Sequence, residues 1–241
     1  MAPAQISLLL ICSGTLGYLL GTFPTGYLLG RLLRGIDIRE HGSGSMGATN
    51  VLRTLGKGPA LVVLLTDACK GIAAVNLVRL LEISPWQVGG RSPLDGNIVT
   101  WMVVVASLGA VVGHSRPLWL RFKGGKSVAT GLGILLAMSW PVALIALGIW
   151  LLSLGFSRRV SLSSLVAAAT TPVIMVNLRQ PLAYGLFALA AGIYVVLTHR
   201  RNIERLLEGS EPLIGQKLAP SPPAPPKADP DSTGVADQTA T

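Results

Sequence analysis

The chain has 241 residues, half of them hydrophobic and only 13% charged, and its mean hydropathy is positive. Soluble domains carry nearer a quarter of charged residues, so this composition excludes one. Twenty Lys and Arg against eleven Asp and Glu give a formal charge of +9. On a soluble chain that balance would point to nucleic acid. Here aromatic residues are few and the cations sit between apolar runs, so membrane topology accounts for them and no nucleic-acid partner is expected. Cys12 and Cys69 both lie in apolar runs and are too few for a disulfide framework or a zinc site, so they read as inert core residues.

The first five residues carry no Lys or Arg, and the first cations, Arg31 and Arg34, follow the first apolar run. That order is the reverse of a secretory signal peptide and reads as a first span with its N-terminus outside. Ile6–Gly30 is long enough to cross, and Gly17 and Gly21, then Gly26 and Gly30, would let a neighbouring helix approach closely. A polar loop fills 31–57. The second span, Pro59–Leu81, holds Asp67 and Lys70 one turn apart, either a neutralising pair or a contribution of Lys70 to a site. A loop over 82–96 leads to a third span, Asn97–Val112, and a basic loop over 113–127 follows. The apolar stretch 128–156 is broken by Pro141. Cations flank it on both sides (Arg116, Arg121, Lys123 and Lys126; then Arg158 and Arg159), so the chain must enter and return, giving helices over 128–139 and 142–156. Leu162–Val176 and Leu182–Thr198 complete seven spans. From Leu218 the chain turns to Pro, Ala, Ser and Asp, which predicts a membrane domain over 1–215 and a disordered cytoplasmic tail over 216–241.

The expected fold is therefore all-α, a polytopic membrane protein of about seven transmembrane helices with the C-terminus cytoplasmic. Sixteen of the twenty Lys and Arg then lie inside, three (Arg79, Arg91, Arg179) outside, and Lys70 within a span. The loops over 31–57 and 113–127, the Arg158–Ser164 segment and the chain from His199 all reach one face.

Gly42-Ser43-Gly44-Ser45-Met46-Gly47-Ala48-Thr49-Asn50-Val51-Leu52-Arg53 has the outline of a phosphate cradle: glycines for close approach, short polar side chains, a forked cation, and a helix that would start near Ala48. It formally matches Gly-x-Gly-x-x-Gly, but a dinucleotide site needs a preceding strand, and a membrane helix precedes it instead. Gly125-Lys126-Ser127 resembles the end of a P-loop, but the earlier glycine would fall on Leu120. A basic rim holding anionic lipid heads is the plainer reading of both loops, and the interleaved glycines, hydroxyls and amide weigh against it. His114 and His199 stand at predicted helix ends, where a histidine is commonly a hydrogen-bonding residue. Three widely separated histidines form no metal constellation, and no serine sits on a strained elbow beside an orienting acid. A carrier of organic phosphates is the competing class, but no internal repeat is visible and the polar segments gather on one side.

Three longer segments carry a resemblance. These are Ser43–Arg53, the Gly113-His114…Pro117…Phe122-Lys123-Gly124-Gly125-Lys126…Ala129-Thr130 run, and His199-x-x-Asn202-Ile203-x-Arg205-Leu206-x-x-Gly209-x-Glu211. Together they are similar to the motifs of the bacterial membrane glycerol-3-phosphate acyltransferases that use acyl phosphate as donor (the PlsY family). Asp67-x-x-Lys70-Gly71 and Val160-Ser161-Leu162-Ser163-Ser164 extend the likeness, which covers roughly 6–215. Ser45 stands where the family usually has Asn, and Ser127 where it usually has Gly. The His-x4-Asp motif of acyl-CoA-dependent acyltransferases is missing.

The resemblance implies a bacterial inner-membrane enzyme of phospholipid synthesis with its active site facing the cytoplasm. It implies acyl phosphate, sn-glycerol 3-phosphate and membrane lipid as partners, lysophosphatidic acid and phosphate as products, and no cofactor or metal. The expected catalytic residues are Ser43, Arg53, Lys126, His199 and Asn202. The expected phosphate- or substrate-binding residues are Gly44, Ser45, Gly47, Thr49, Asn50, His114, Lys123, Gly124, Gly125, Ser161, Ser164 and Glu211. Either Lys123 or Lys126 would contact phosphate, and either His199 or a substrate phosphate oxygen would take the proton.

Overall fold

The computed structural model describes residues 2–83 and 95–216, all of whose regular structure is helical. Arg91, most of the loop expected over 82–96, and all but the first residue of the tail expected over 216–241 lie outside the described residues. The helices are α1 (Pro3–Gly21), α2 (Thr25–Arg34), α3 (Ala48–Thr54), α4 (Lys57–Ile83), α5 (Gly96–Ser115), α6 (Val128–Met138), α7 (Trp140–Ser157), α8 (Val160–Asn177), α9 (Leu182–Thr198) and α10 (Arg200–Leu207). Short 3-10 turns sit at Ile38–Glu40 and Leu118–Leu120.

Five segments are long and apolar enough to cross a bilayer: Pro3–Arg34, Lys57–Leu80, Gly96–Leu120, Trp140–Ser157 and Val160–Asn177. A sixth arises if α9 and α10, which meet at 62°, are counted together. Against the seven crossings expected, α6 falls short. Its 11 residues rise only about 16 Å, well under the ~30 Å of hydrocarbon. The separation of α6 from α7 at Ser139, just ahead of Pro141, follows the expected break. The single helix expected over Ile6–Gly30 is instead interrupted at Thr22-Phe23-Pro24, because Pro24 lacks an N–H and disfavours helical geometry at Phe23. The Lys70 ammonium donates to the Phe23 carbonyl at 3.2 Å, supplying a partner at the break.

Small residues set the distances between helices. A Cβ on Gly17 would stand 1.9 Å from the Ala106 carbonyl oxygen, and one on Gly21 2.3 Å from that of Ala110, so α1 and α5 touch backbone to backbone. Gly71 and Gly133 do the same between α4 and α6, against the carbonyls of Thr130 and Ala68. Lipid-facing surface is correspondingly greasy: Leu182 and Phe156 are 78% and 90% exposed. Cys12 and Cys69 are also exposed, which corrects their expected place in the core.

Replacing Gly17 with Ala should lower stability by about 1–3 kcal/mol or more, since the backbone carbonyl it meets cannot yield. Gly148→Ala meets nothing within 4 Å and should be neutral or stabilising by about 0.5–1 kcal/mol. Thermal unfolding of both purified variants checks the contrast.

Candidate active site

The loop ahead of α3 is tied by one side chain. Asn50 is 1% exposed. Its Oδ1 accepts from the Ser43 N–H at 2.8 Å, while its Nδ2 lies 3.0, 3.0 and 2.7 Å from the carbonyl oxygens of Ile38, His41 and Ser45. An amide so engaged shapes the loop, and Asn50 also borders the cavity described below. The glycines share that work. Gly42 and Gly44 take φ of +60° and +71°, and a Cβ on Gly42 would lie 2.2 Å from Asn50 Oδ1. Gly44 does not reach the cavity described below, so it too is a loop former. Asp37 stays ionised below the usual carboxylate range because the Arg39 guanidinium donates to it. Arg39 also donates to the Leu120 carbonyl at 2.8 Å, joining this loop to the next.

The second loop folds back onto the end of α5. The Gly124 and Gly125 N–H groups donate to the carbonyls of Ser115 and His114, both at 3.1 Å. A Cβ on Gly125 would lie 2.0 Å from the His114 ring. These glycines are needed for close approach of backbone to protein, and their N–H groups are engaged within it. Lys123 is exposed and absent from the cavity lining, so of the two lysines only Lys126 faces it. His114, 3% exposed, lines the cavity. Its Nδ1 is 2.7 Å from Lys70 Nζ and 3.5 Å from Asp67 Oδ1, and Lys70 pairs with Asp67 at 2.9 Å. The Asp67–Lys70 pair is thus neutralising, with Asp67 in the lining and Lys70 behind it.

The third segment is gathered by Glu211, 6% exposed. Its carboxylate accepts from Ser161 Oγ at 2.6 Å, Asn202 Nδ2 at 2.7 Å and Arg205 Nε at 2.7 Å. Burial opposes its ionised form, but these donors prevail and hold it below the usual carboxylate range. Both oxygens serve protein donors, so Glu211 positions its neighbours and is not itself a phosphate contact. Asn202 turns its amide oxygen to the Lys126 ammonium, linking the second segment to the third. Burial pushes Lys126 down to about 8 despite the attraction of Glu211. His199 Nδ1 donates to the Val195 carbonyl at 2.8 Å, which fixes the tautomer and leaves Nε2 as the uncommitted ring nitrogen. Ser164 accepts from Trp150 Nε1 at 3.1 Å and donates to the Val160 carbonyl.

These segments open onto one cavity of about 450 Å³. Its polar end is lined by Ser43, Ser45, Gly47, Thr49, Asn50, Arg53, His114, Lys126, Ser161, Ser164, His199, Asn202 and Glu211. Arg53, carried by α3, is half-buried, and its Nε is buried with no hydrogen-bond partner among the described residues. From there an apolar arm runs between α6, α7, α8 and α9, past Leu132, Leu135, Leu136, Ala146, Leu147, Trp150, Ala167, Ala168, Phe187, Ala188 and Val195. None of these residues stands out in the sequence, because they carry no mark beyond being apolar on helices that are apolar throughout. Among the described residues no three His, Cys, Asp or Glu are grouped to hold a metal ion. The arrangement can hold an anionic headgroup against Arg53 and Lys126 while a hydrocarbon chain fills the arm.

Residues 11–209 match the family described as glycerol-3-phosphate acyltransferase. The chain is 62% identical over 220 residues to the glycerol-3-phosphate acyltransferase of Synechococcus sp. (strain JA-3-3Ab), covering 91% of this chain and 100% of that one. It is 57% identical to that of Acaryochloris marina (strain MBIC 11017), covering 88% and 96%. Among solved structures it resembles PlsY (YgiH), an integral membrane glycerol 3-phosphate acyltransferase. The glycerol 3-phosphate form superposes with a TM-score of 0.72 at 34% identity, covering 88% of this chain and 96% of that one. The lysophosphatidic acid form gives 0.70 at 33%, covering 87% and 95%. Coverage from near the first helix to the end of α10, at identities of this size, leaves one conclusion: the chain is an integral membrane protein of the glycerol-3-phosphate acyltransferase family.

Proposed function

We infer that this protein transfers an acyl group from acyl phosphate to a hydroxyl of sn-glycerol 3-phosphate, giving lysophosphatidic acid and phosphate. The observation that carries this reading is the shared cavity in which Arg53 and Lys126 stand at the head of an apolar arm. Acyl phosphate has that shape and charge, and the acceptor is a second small phosphate. The clustering of Lys and Arg supports a topology with the N-terminus outside and the C-terminus and polar end cytoplasmic in the bacterial inner membrane, which requires the short α6 to count as one of seven passages. Residues 1–215 would form the working domain, with 216–241 dispensable.

The glycerol hydroxyl oxygen attacks the acyl carbonyl carbon, the bond from that carbon to the phosphate oxygen breaks, and the hydroxyl proton passes to a phosphate oxygen of the substrates. A phosphate whose second pKa is near 6 is a competent acceptor, and among the described residues no carboxylate hydrogen-bonds to His199, its Nδ1 being held by the Val195 carbonyl. Arg53 and Lys126 grip the phosphoryl groups, Ser43 adds a hydroxyl, and His199 Nε2 orients them. Asn202 acts by fixing Lys126 against the Glu211 anchor. Holding the reactants within about 3–3.5 Å and stabilising the developing negative charge with preorganised cations supplies the acceleration.

Arg53→Ala should lower kcat/KM by at least ~100-fold with thermal unfolding unchanged. Full activity would remove the cradle from the reaction. His199→Gln should retain most of the turnover number, whereas near-total loss would make histidine the proton acceptor. Both are read with acyl phosphate and labelled glycerol 3-phosphate, without a membrane gradient. Lys126 is charged below its pKa of about 8 and neutral above it, so its grip weakens as pH rises. The kcat/KM profile should fall above pH ~8, and Lys126→Arg should carry that limb beyond pH ~10.

A further inference from the structure

The cavity, polar end included, stops at a similar depth on each helix that runs along it. Its lining extends from His199, just past α9, to Phe187, from Val160 to Thr171 on α8, and from Lys126 to Leu136 at α6. At the helical rise these stretches measure about 15–18 Å. That is close to half of the ~30 Å hydrocarbon thickness, the depth of one leaflet.

The far end is closed. Phe187, Ala146 and Thr171 are 2%, 4% and 6% exposed, whereas the exposed lining residues Leu64 and Leu65, at 42% and 56%, belong to the first third of α4, near the polar end. Phe187 shares a close-packed cluster with Ile174, Met175 and Tyr184, none of which reaches the cavity. Just past the last lining residues, Arg79 of α4 donates to the Ala137 carbonyl at 2.5 Å and the Tyr184 hydroxyl at 3.2 Å. Ala137 adjoins Leu136, and Tyr184 lies one turn from Phe187. One guanidinium therefore fastens α4, α6 and α9 to each other at the floor.

We propose that this floor is a length gauge: Phe187 and Thr171 end the arm, Arg79 keeps the helices from parting beneath it, and the site selects acyl donors whose chain reaches from the polar end to that floor. The proposal rests on the donor lying in the cavity as described under Proposed function. A shorter chain leaves lining unfilled, and a longer one must separate close-packed helices or bend back toward the mouth.

Binding of non-reacting alkyl phosphates, from octyl to eicosyl, to the purified protein in lipid nanodiscs tests it, read as ligand-induced thermal stabilisation. Affinity should climb about fourfold per methylene to a limit and then stop. Phe187→Ala should move that limit to longer chains, Thr171→Phe to shorter ones, and Arg79→Gln should blur it. Should Phe187→Ala not fold, Phe187→Leu together with Thr171→Phe carries the same comparison. A climb without limit in the unaltered protein, or a limit that neither floor variant moves, overturns the gauge, and an unchanged limit in Arg79→Gln removes the clamp from it. Because alkyl phosphates do not react, failure to form lysophosphatidic acid from acyl phosphate would refute the reaction while leaving this length limit measurable.

Discussion

The carboxylate of Glu211 is the point from which the polar end of the molecule is strung. It draws Ser161 of α8, Asn202 of α10 and Arg205 together, and through Asn202 it reaches Lys126 on the far loop. A half-hidden ammonium is costly unless something fixes and partly neutralises it. Here the neutralising charge stands one amide away. It steadies Lys126 without forming the direct ion pair that would occupy its donors. The cation is thereby held in place yet still able to meet an anion.

The same economy of charge runs through the helix layer. Asp67, Lys70 and His114 are 3%, 6% and 3% exposed, and each finds its partner among the other two. Lys70 also reaches the Phe23 carbonyl at the break between α1 and α2, while the His114 ring packs under Gly125. One buried cluster therefore connects the first helix break to the turn that presents Lys126. Leaving any member without its partner would strand a charge or donor in apolar surroundings, which is why such groups are found together.

Much of this was readable from the chain, and the reasons for the rest are physical. Glycine pairs four residues apart announce close helix approach, and Gly17 and Gly21 lie flat against α5. The break at Ser139 follows from Pro141, and Pro24 gave the same warning inside a stretch otherwise read as one helix. What composition could not show is direction. Asn50, Gly124, Gly125 and Glu211 have the right chemistry to meet phosphate, but their hydrogen-bonding groups turn inward to the protein. Sequence gives the donors and acceptors, and only three-dimensional packing says which are already taken. Lys123 and Lys126, three positions apart, could not be separated until the turn at Gly124-Gly125 placed one outside and the other in the cavity.

The apolar arm was illegible for a related reason. On a soluble protein a run of buried Leu, Ala and Val marks the core. On a membrane protein the outer surface is equally apolar, as the exposure of Leu182 and Phe156 shows, so hydropathy no longer distinguishes a chain-binding channel from a lipid-facing flank. The distinguishing marks are small residues where packed helices border the cavity. Ala167, Ala168, Ala188, Ala191 and Gly192 line it along the contact of α8 with α9, where a Cβ on Gly192 would stand 3.0 Å from the Ala168 carbonyl oxygen, and bulkier side chains would project into the space. A cleft lined by small side chains, with cations at one end and a pinned floor at the other, would give the proposed two-ended substrate a single orientation. Its chain would set how deep the molecule lies, and its phosphate would then fall where Arg53 and Lys126 are held.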